Sequence, residues 1–231
     1  MLTGLKDHTV VVGLNRVSFS TIETLKSLGE KVIAVEKNRK KIEEFKKLFP
    51  AVDTVEGDAK EEEILELAAL KYAKRILINT SSDSENMFIT VTARQLNPKI
   101  FICSRVVKPE NEIKLKKAGA DTTFLPEVLS GRSVALSLLK PEIAEFIREV
   151  LLSENTPYLL ESVEVSKKSS LNGRMLKDFY NEEIFGLLLA IVKEGRVFLN
   201  PKKSMTIKEG DKLIVLGNLE QIENLTSALT I

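Results

Sequence analysis

Along the first 140 residues, apolar positions alternate between short saturated runs and longer stretches where they recur at helical spacing. The short runs fall at 9–13 (Thr-Val-Val-Val-Gly), 31–36, 54–56, 75–79, 100–103 and 122–125. They are apolar at nearly every position, which marks strands covered on both faces, as in a parallel sheet. The stretches 18–28, 39–48, 61–70, 84–96 and 110–118 read as amphipathic helices. In 39–48, Ile42, Phe45 and Leu48 share one face, and the lysines and glutamates take the other. Asn38 stands where an N-cap is expected, and Gly29 and Gly119 stand just past helix ends. Strand–helix alternation of this kind predicts an α/β fold with right-handed crossovers and helices on both faces of the sheet.

Two further helices, at 128–139 and 142–152, are apolar on one face and exceed what the sheet needs to cover itself. Past Pro157 the pattern changes to short alternating runs at 160–165, 186–192, 196–199 and 212–216. Turn signals stand at Glu194-Gly195 and Glu209-Gly210-Asp211, and helices are expected near 175–181 and 219–229. This describes a small α+β lobe with no sequence repeat of the first. The predicted organisation is therefore a sheet domain at 1–140, a linker or crossover helix at 141–157, and the lobe at 158–231.

Composition narrows the function. The chain has 231 residues, 43% hydrophobic and 29% charged, and a formal charge of +1. No basic excess points to nucleic acid, and no long block of like charge points to a disordered tail. The first eight residues lack the apolar core of a signal peptide. The longest apolar run, 184–192, is about half of what a membrane span requires. The single cysteine, Cys103, excludes an internal disulfide and fits a reducing compartment. These readings predict a cytoplasmic protein that does not cross a membrane by itself.

The candidate chemistry lies at the end of the first strand. Gly13-Leu-Asn15-Arg16-Val-Ser18 occupies the place of the Gly-x-Gly-x-x-Gly turn of a Rossmann-like fold. Gly13 keeps the tight turn. Asn15 replaces the glycine that lets backbone approach a pyrophosphate, and its side chain is expected to intrude there, favouring a monophosphate or an empty cleft. Ser18 replaces the glycine of close helix–strand packing. Glu36 ends the second strand, where an acid bonds ribose hydroxyls. Asp58, Thr80 and Arg105 fall at the same edge, and Arg16 offers a fork to phosphate. Gly13, Asn15, Arg16, Glu36, Asp58, Thr80 and Arg105 are thus the candidate site for an adenine nucleotide: NAD, NADH, ADP, ATP or AMP. The competing reading is a Rossmann shell without ligand, with Glu36 solvated, Asn15 a turn residue, and Arg105 paired with Asp121 or Glu127. His8 reads as a surface or edge residue, Cys103 as inert core, and Glu61-Glu62-Glu63 as a complement to a helix dipole.

The series as a whole resembles the RCK family, also called TrkA-type or KTN domains, which regulate potassium channels and Trk/Ktr transporters. The matching segments include Val11-Val-Gly13-Leu-Asn-Arg16-Val17, Val55-Glu-Gly57-Asp58-Ala59, Asp83-Ser-Glu-Asn86, Thr92-Ala-Arg94-Gln-Leu-Asn97-Pro98 and Lys117-Ala-Gly119-Ala-Asp121. In the second lobe they are Ser170-Leu-Asn-Gly173 and Ile207-Lys-Glu-Gly210-Asp211-Lys-Leu-Ile-Val-Leu-Gly217. The resemblance implies a homodimer paired through the helices after the sheet and assembled into an octameric ring. The ring would bias a potassium pore subunit at the inner face of the membrane, with membrane association only through that partner. The calcium-gated branch places carboxylates where this chain has Asn79, Cys103 and Arg105, which do not make the oxygen cage a hard cation needs. Glu127, near the pairing surface, is a candidate contact for a metal or a neighbouring subunit. Two alternatives remain: a nicotinamide-dependent oxidoreductase and a ligand-free oligomerisation scaffold. Against the first, no tyrosine has a lysine four residues on and no histidine lies near the expected cleft, so no catalytic residue is assigned.

Overall fold

Among the described residues, 5–152 and 157–230 of the computed structural model, ten strands form two sheets in separate units, Met1–Arg132 and Ser133–Ile231. The first unit holds β1 (Thr9–Val12), α1 (Arg16–Ser27), β2 (Val32–Glu36), α2 (Arg39–Leu48), β3 (Asp53–Glu56), α3 (Glu62–Leu67), β4 (Arg75–Ile78), α4 (Asp83–Leu96), β5 (Phe101–Arg105), α5 (Glu112–Ala118) and β6 (Thr122–Phe124). All pairings are parallel, in the order β3-β2-β1-β4-β5-β6. The order reverses between β1 and β4, which opens a crevice at the carboxyl ends of the strands.

The central strands β1, β2 and β4 are buried on both faces, while β3, β5 and β6 are partly exposed. In β1, Val10 and Val12 pack with Ile33, Ile76, Ile89 of α4 and Leu65 of α3, while Val11 packs with Ala34, Ile22 of α1 and Phe45 of α2. Phe45 anchors an aromatic cluster, with ring centroids 5.4 Å from Phe19 and 5.0 Å from Phe49. His8 corrects the surface assignment: it is fully buried, with Nε2 2.9 Å from the Ala68 carbonyl oxygen. Burial holds its pKa below the ordinary 6.5, against the Ala68 contact and the Asp7 charge.

The helix α6 (Pro126–Leu139) runs from the first unit into the second and is followed by α7 (Pro141–Leu152). Val128, Leu129, Val134, Leu138 and Leu139 on α6 are exposed, as are Ile143, Phe146 and Ile147 on α7. The second unit continues with β7 (Tyr158–Glu164), α8 (Glu182–Phe185), β8 (Leu187–Lys193), β9 (Arg196–Leu199), β10 (Lys212–Asn218) and α9 (Leu219–Thr230). Its sheet is antiparallel, in the order β7-β10-β8-β9. The core joins Val163, Ile191, Leu213 and Val215 to Ile222, Leu225 and Leu229 of α9. The helix expected near 175–181 is a single 3₁₀ turn at Leu176–Asp178. Asn181 ends that segment by capping α8, its side chain accepting from the Glu183 N–H at 2.9 Å.

Candidate nucleotide cleft

The β1–α1 turn is held by a polar network. Gly13 has φ 85°, and a Cβ there would lie 2.7 Å from the Asn79 carbonyl oxygen, so the left-handed turn and the close approach both require glycine. The Asn15 side chain is committed within the turn. Its Oδ1 caps α1 by accepting from the Val17 N–H at 3.0 Å and the Ser18 N–H at 3.3 Å, and its Nδ2 donates to the Asn79 carbonyl at 2.9 Å. Asn79, fully buried at the end of β4, returns Nδ2 bonds to Asn15 Oδ1 at 3.0 Å and Ser18 Oγ at 2.8 Å. Ser18 Oγ in turn donates to the Gly13 carbonyl at 2.5 Å. Where a glycine would allow close packing, the chain has a buried serine that bonds the residues just past β1 and β4, Gly13 and Asn79.

Glu36 supports the same turn from β2. It is 7% exposed, far from the solvated alternative. Oε2 accepts from the Leu14 N–H at 2.7 Å and Oε1 from the Asn38 N–H at 2.9 Å, with Lys41 Nζ 3.9 Å from Oε2. Each carboxylate oxygen retains acceptor capacity beyond that one bond.

Amide and carboxylate side chains brace the residues around the far side of the cleft. The buried Asn86 accepts from Thr80 N and Thr80 Oγ1 at 3.1 and 2.8 Å and donates to the Arg105 carbonyl at 3.0 Å. Asp83 accepts from Val107 N, Lys108 N and Asn111 Nδ2 at 2.7, 3.0 and 2.8 Å. Partial burial pushes the Asp83 carboxyl up, but those three donors and the Lys108 charge hold it below its ordinary range. Partial burial acts on Asp58 the same way and is outweighed by the Lys60 N–H and ammonium, with Lys37 adding to them. Lys37 and Glu85 pair at 2.9 Å, and that contact raises the lysine pKa.

These elements enclose a cavity of about 280 Å³. Of the candidate residues, Gly13, Asn15, Glu36, Asp58, Thr80 and Arg105 line it. Arg16 does not; it is exposed at the first position of α1. The Arg105 guanidinium pairs with Glu127 in the first turn of α6, while Asp121 pairs with Arg94 at 2.7 Å. Its Nε, like Asn79 Oδ1, is buried without a partner among the described residues. Lys37, Lys41 and Glu85 also line the cavity and were not foreseen. Their signal was adjacency: Lys37 follows Glu36, and Glu85 falls in the Asp83–Asn86 segment. Cys103 is half-buried, and burial pushes its thiol up to about 11, which makes it unreactive.

The model of the TrkA-N domain family matches residues 9–126, the whole of the sheet that builds this cleft. The chain belongs to the TrkA-N family. A TrkA-C domain follows at 160–230. The chain is 32% identical over 226 residues to potassium channel protein 1 of Methanocaldococcus jannaschii, covering 96% of this chain and 66% of that one. It is 26% identical over 223 residues to the Trk system potassium uptake protein TrkA homolog of Pyrococcus abyssi, covering 94% and 95%. Among solved structures, the TrkA-N domain of the Escherichia coli inner membrane protein ybaL is 28% identical with a TM-score of 0.55, covering 60% of this chain and all of that one. The GsuK channel bound to NAD (20% identical, TM-score 0.51, covering 97% and 38%) and the human SLO3 gating ring (16%, 0.71, covering 96% and 46%) share the fold. Among the described residues no helix is long and apolar enough to cross a membrane.

Proposed function

We propose that this chain is the ligand-sensing part of a potassium channel or transporter, a regulatory subunit or gating-ring domain that acts by binding and not by catalysis. The observation that carries this reading is Arg105, which lines the cavity and pairs with Glu127 at the start of α6. An anion entering the cavity competes with Glu127 for the guanidinium, so occupation of the cleft is linked to the helix that leads out of the sheet. The exposed apolar residues of α6 and α7 form the pairing surface of a homodimer, and residues 141–157 link the sheet domain of 1–140 to the lobe of 158–231. Pairs build an octameric ring under a pore subunit, at the inner face of the membrane. A ligand opens or closes such a ring only through its different affinity for the two shapes.

The ligand class is an adenine nucleotide. GsuK has been solved with NAD and with ADP, and Glu36 retains the acceptor capacity that a ribose requires. Binding is tested by calorimetry with AMP, ADP, ATP, NAD and NADH, and gating by sedimentation of the same samples. The expected result is a dimer at tens of micromolar whose sedimentation coefficient shifts with nucleotide. Glu36→Ala should weaken binding about a hundredfold, roughly 2–3 kcal/mol. A monomer, or no nucleotide bound below millimolar, overturns the reading.

A further inference from the structure

We infer that Asn15 sets the phosphate count of the ligand: the cleft takes a nucleoside or nucleoside monophosphate and rejects a diphosphate. This rests on the reading of the cleft as a nucleotide site. A pyrophosphate at a β1–α1 turn is held by backbone N–H groups at the helix start. Of the seven N–H groups from Gly13 to Phe19, five are already committed within the chain. Gly13 N donates to Val35 O and Leu14 N to Glu36 Oε2, Val17 N and Ser18 N donate to Asn15 Oδ1, and Phe19 N donates to Asn15 O. Asn15 and Arg16 keep the two uncommitted donors, and of the two only Asn15 lines the cavity.

The commitment is deep. To release Val17 N and Ser18 N, Asn15 must also give up both bonds to Asn79, and Asn79 is fully buried with Ser18 as its other partner. Selectivity therefore comes from occupied donors and a locked side chain, not from a side chain standing in the ligand's path. The size of the cavity points the same way. At about 280 Å³ this open cleft lies at or below the small end of ligand pockets, roughly 300–1,000 Å³. The cations that line the cavity are engaged as well, Lys37 with Glu85, Lys41 beside Glu36 and Arg105 with Glu127.

The test is calorimetry of the wild-type chain, Asn15→Gly and Asn15→Ser with adenosine, AMP, ADP and NAD. Wild type should bind AMP at least tenfold more tightly than ADP or NAD. Asn15→Gly, which frees Val17 N and Ser18 N, should gain at least tenfold for ADP and NAD with adenosine changed less than threefold. Asn15→Ser keeps an oxygen to cap α1 and should retain the preference for AMP, and circular dichroism establishes that each variant is folded. Wild-type preference for ADP or NAD overturns the inference and leaves the nucleotide site standing, as does a folded Asn15→Gly with an unchanged AMP-to-ADP ratio. If no adenine compound binds any of the three proteins below millimolar, the nucleotide reading falls and the inference with it.

Discussion

Around the β1–α1 turn most polar groups already have partners in the same chain, whereas along α6 and α7 eight large apolar side chains are exposed. The turn leaves a ligand few free backbone donors, although Asn79 Oδ1 and Arg105 Nε stay unpartnered among the described residues. The helices differ in the opposite sense: their apolar surface is exposed, and it is the face proposed to pair with a second copy. On the proposed reading, rigidity and responsiveness occupy different places: the cleft selects by geometry, and the helices respond by association. Arg105 belongs to both, through the cavity on one side and Glu127 on the other.

The strongest challenge to this contrast is at Gly13. An alanine there places Cβ against the Asn79 carbonyl at φ 85°, and should cost about 3 kcal/mol in denaturant unfolding. A loss under 1 kcal/mol would mean that the turn yields easily and that the cleft is not the rigid partner. Second in size is charging the helices. Leu138→Glu with Phe146→Glu should weaken pairing by about 2 kcal/mol, read as a thirtyfold rise in the dissociation constant by sedimentation equilibrium. The melting of the parallel-sheet unit should stay unchanged, because neither side chain belongs to its core. Smallest is the acid response of His8. The unfolded histidine takes a proton near 6.5, while the buried ring resists until lower pH. Stability should be full above 6.5, decline as pH falls through the window between the two values, and level off once the folded ring is protonated. Denaturant midpoints measured across that window check this, and His8→Asn should flatten that part of the profile.

The sheet was legible because a strand buried on both faces must be apolar at consecutive positions, as Val10, Val11 and Val12 are. The convergence of Gly13, Glu36 and Arg105 was legible for a related reason: strand ends of one parallel sheet share an edge. What each side chain does there was not. Asn15 caps α1 and bonds Asn79 across 64 positions of sequence, and no local pattern encodes that distance. His8 looked like an edge residue because its burial depends on the Ala68 carbonyl, equally remote. In the second unit the segment after Met175 carried helical spacing, but Asn181 draws the helix start to itself.

Asp83 carries a consequence for dynamics. Its carboxylate takes the amides of Val107 and Lys108, which lie in a loop, and fastens them to the first turn of α4. Those amides have no ladder or helix of their own, yet they open only when the start of α4 opens. In hydrogen exchange they should be protected with the cooperative unit of the helix and not with that of a surface loop. The segment between β5 and α5 is therefore fastened to α4 at three points, through Val107, Lys108 and Asn111.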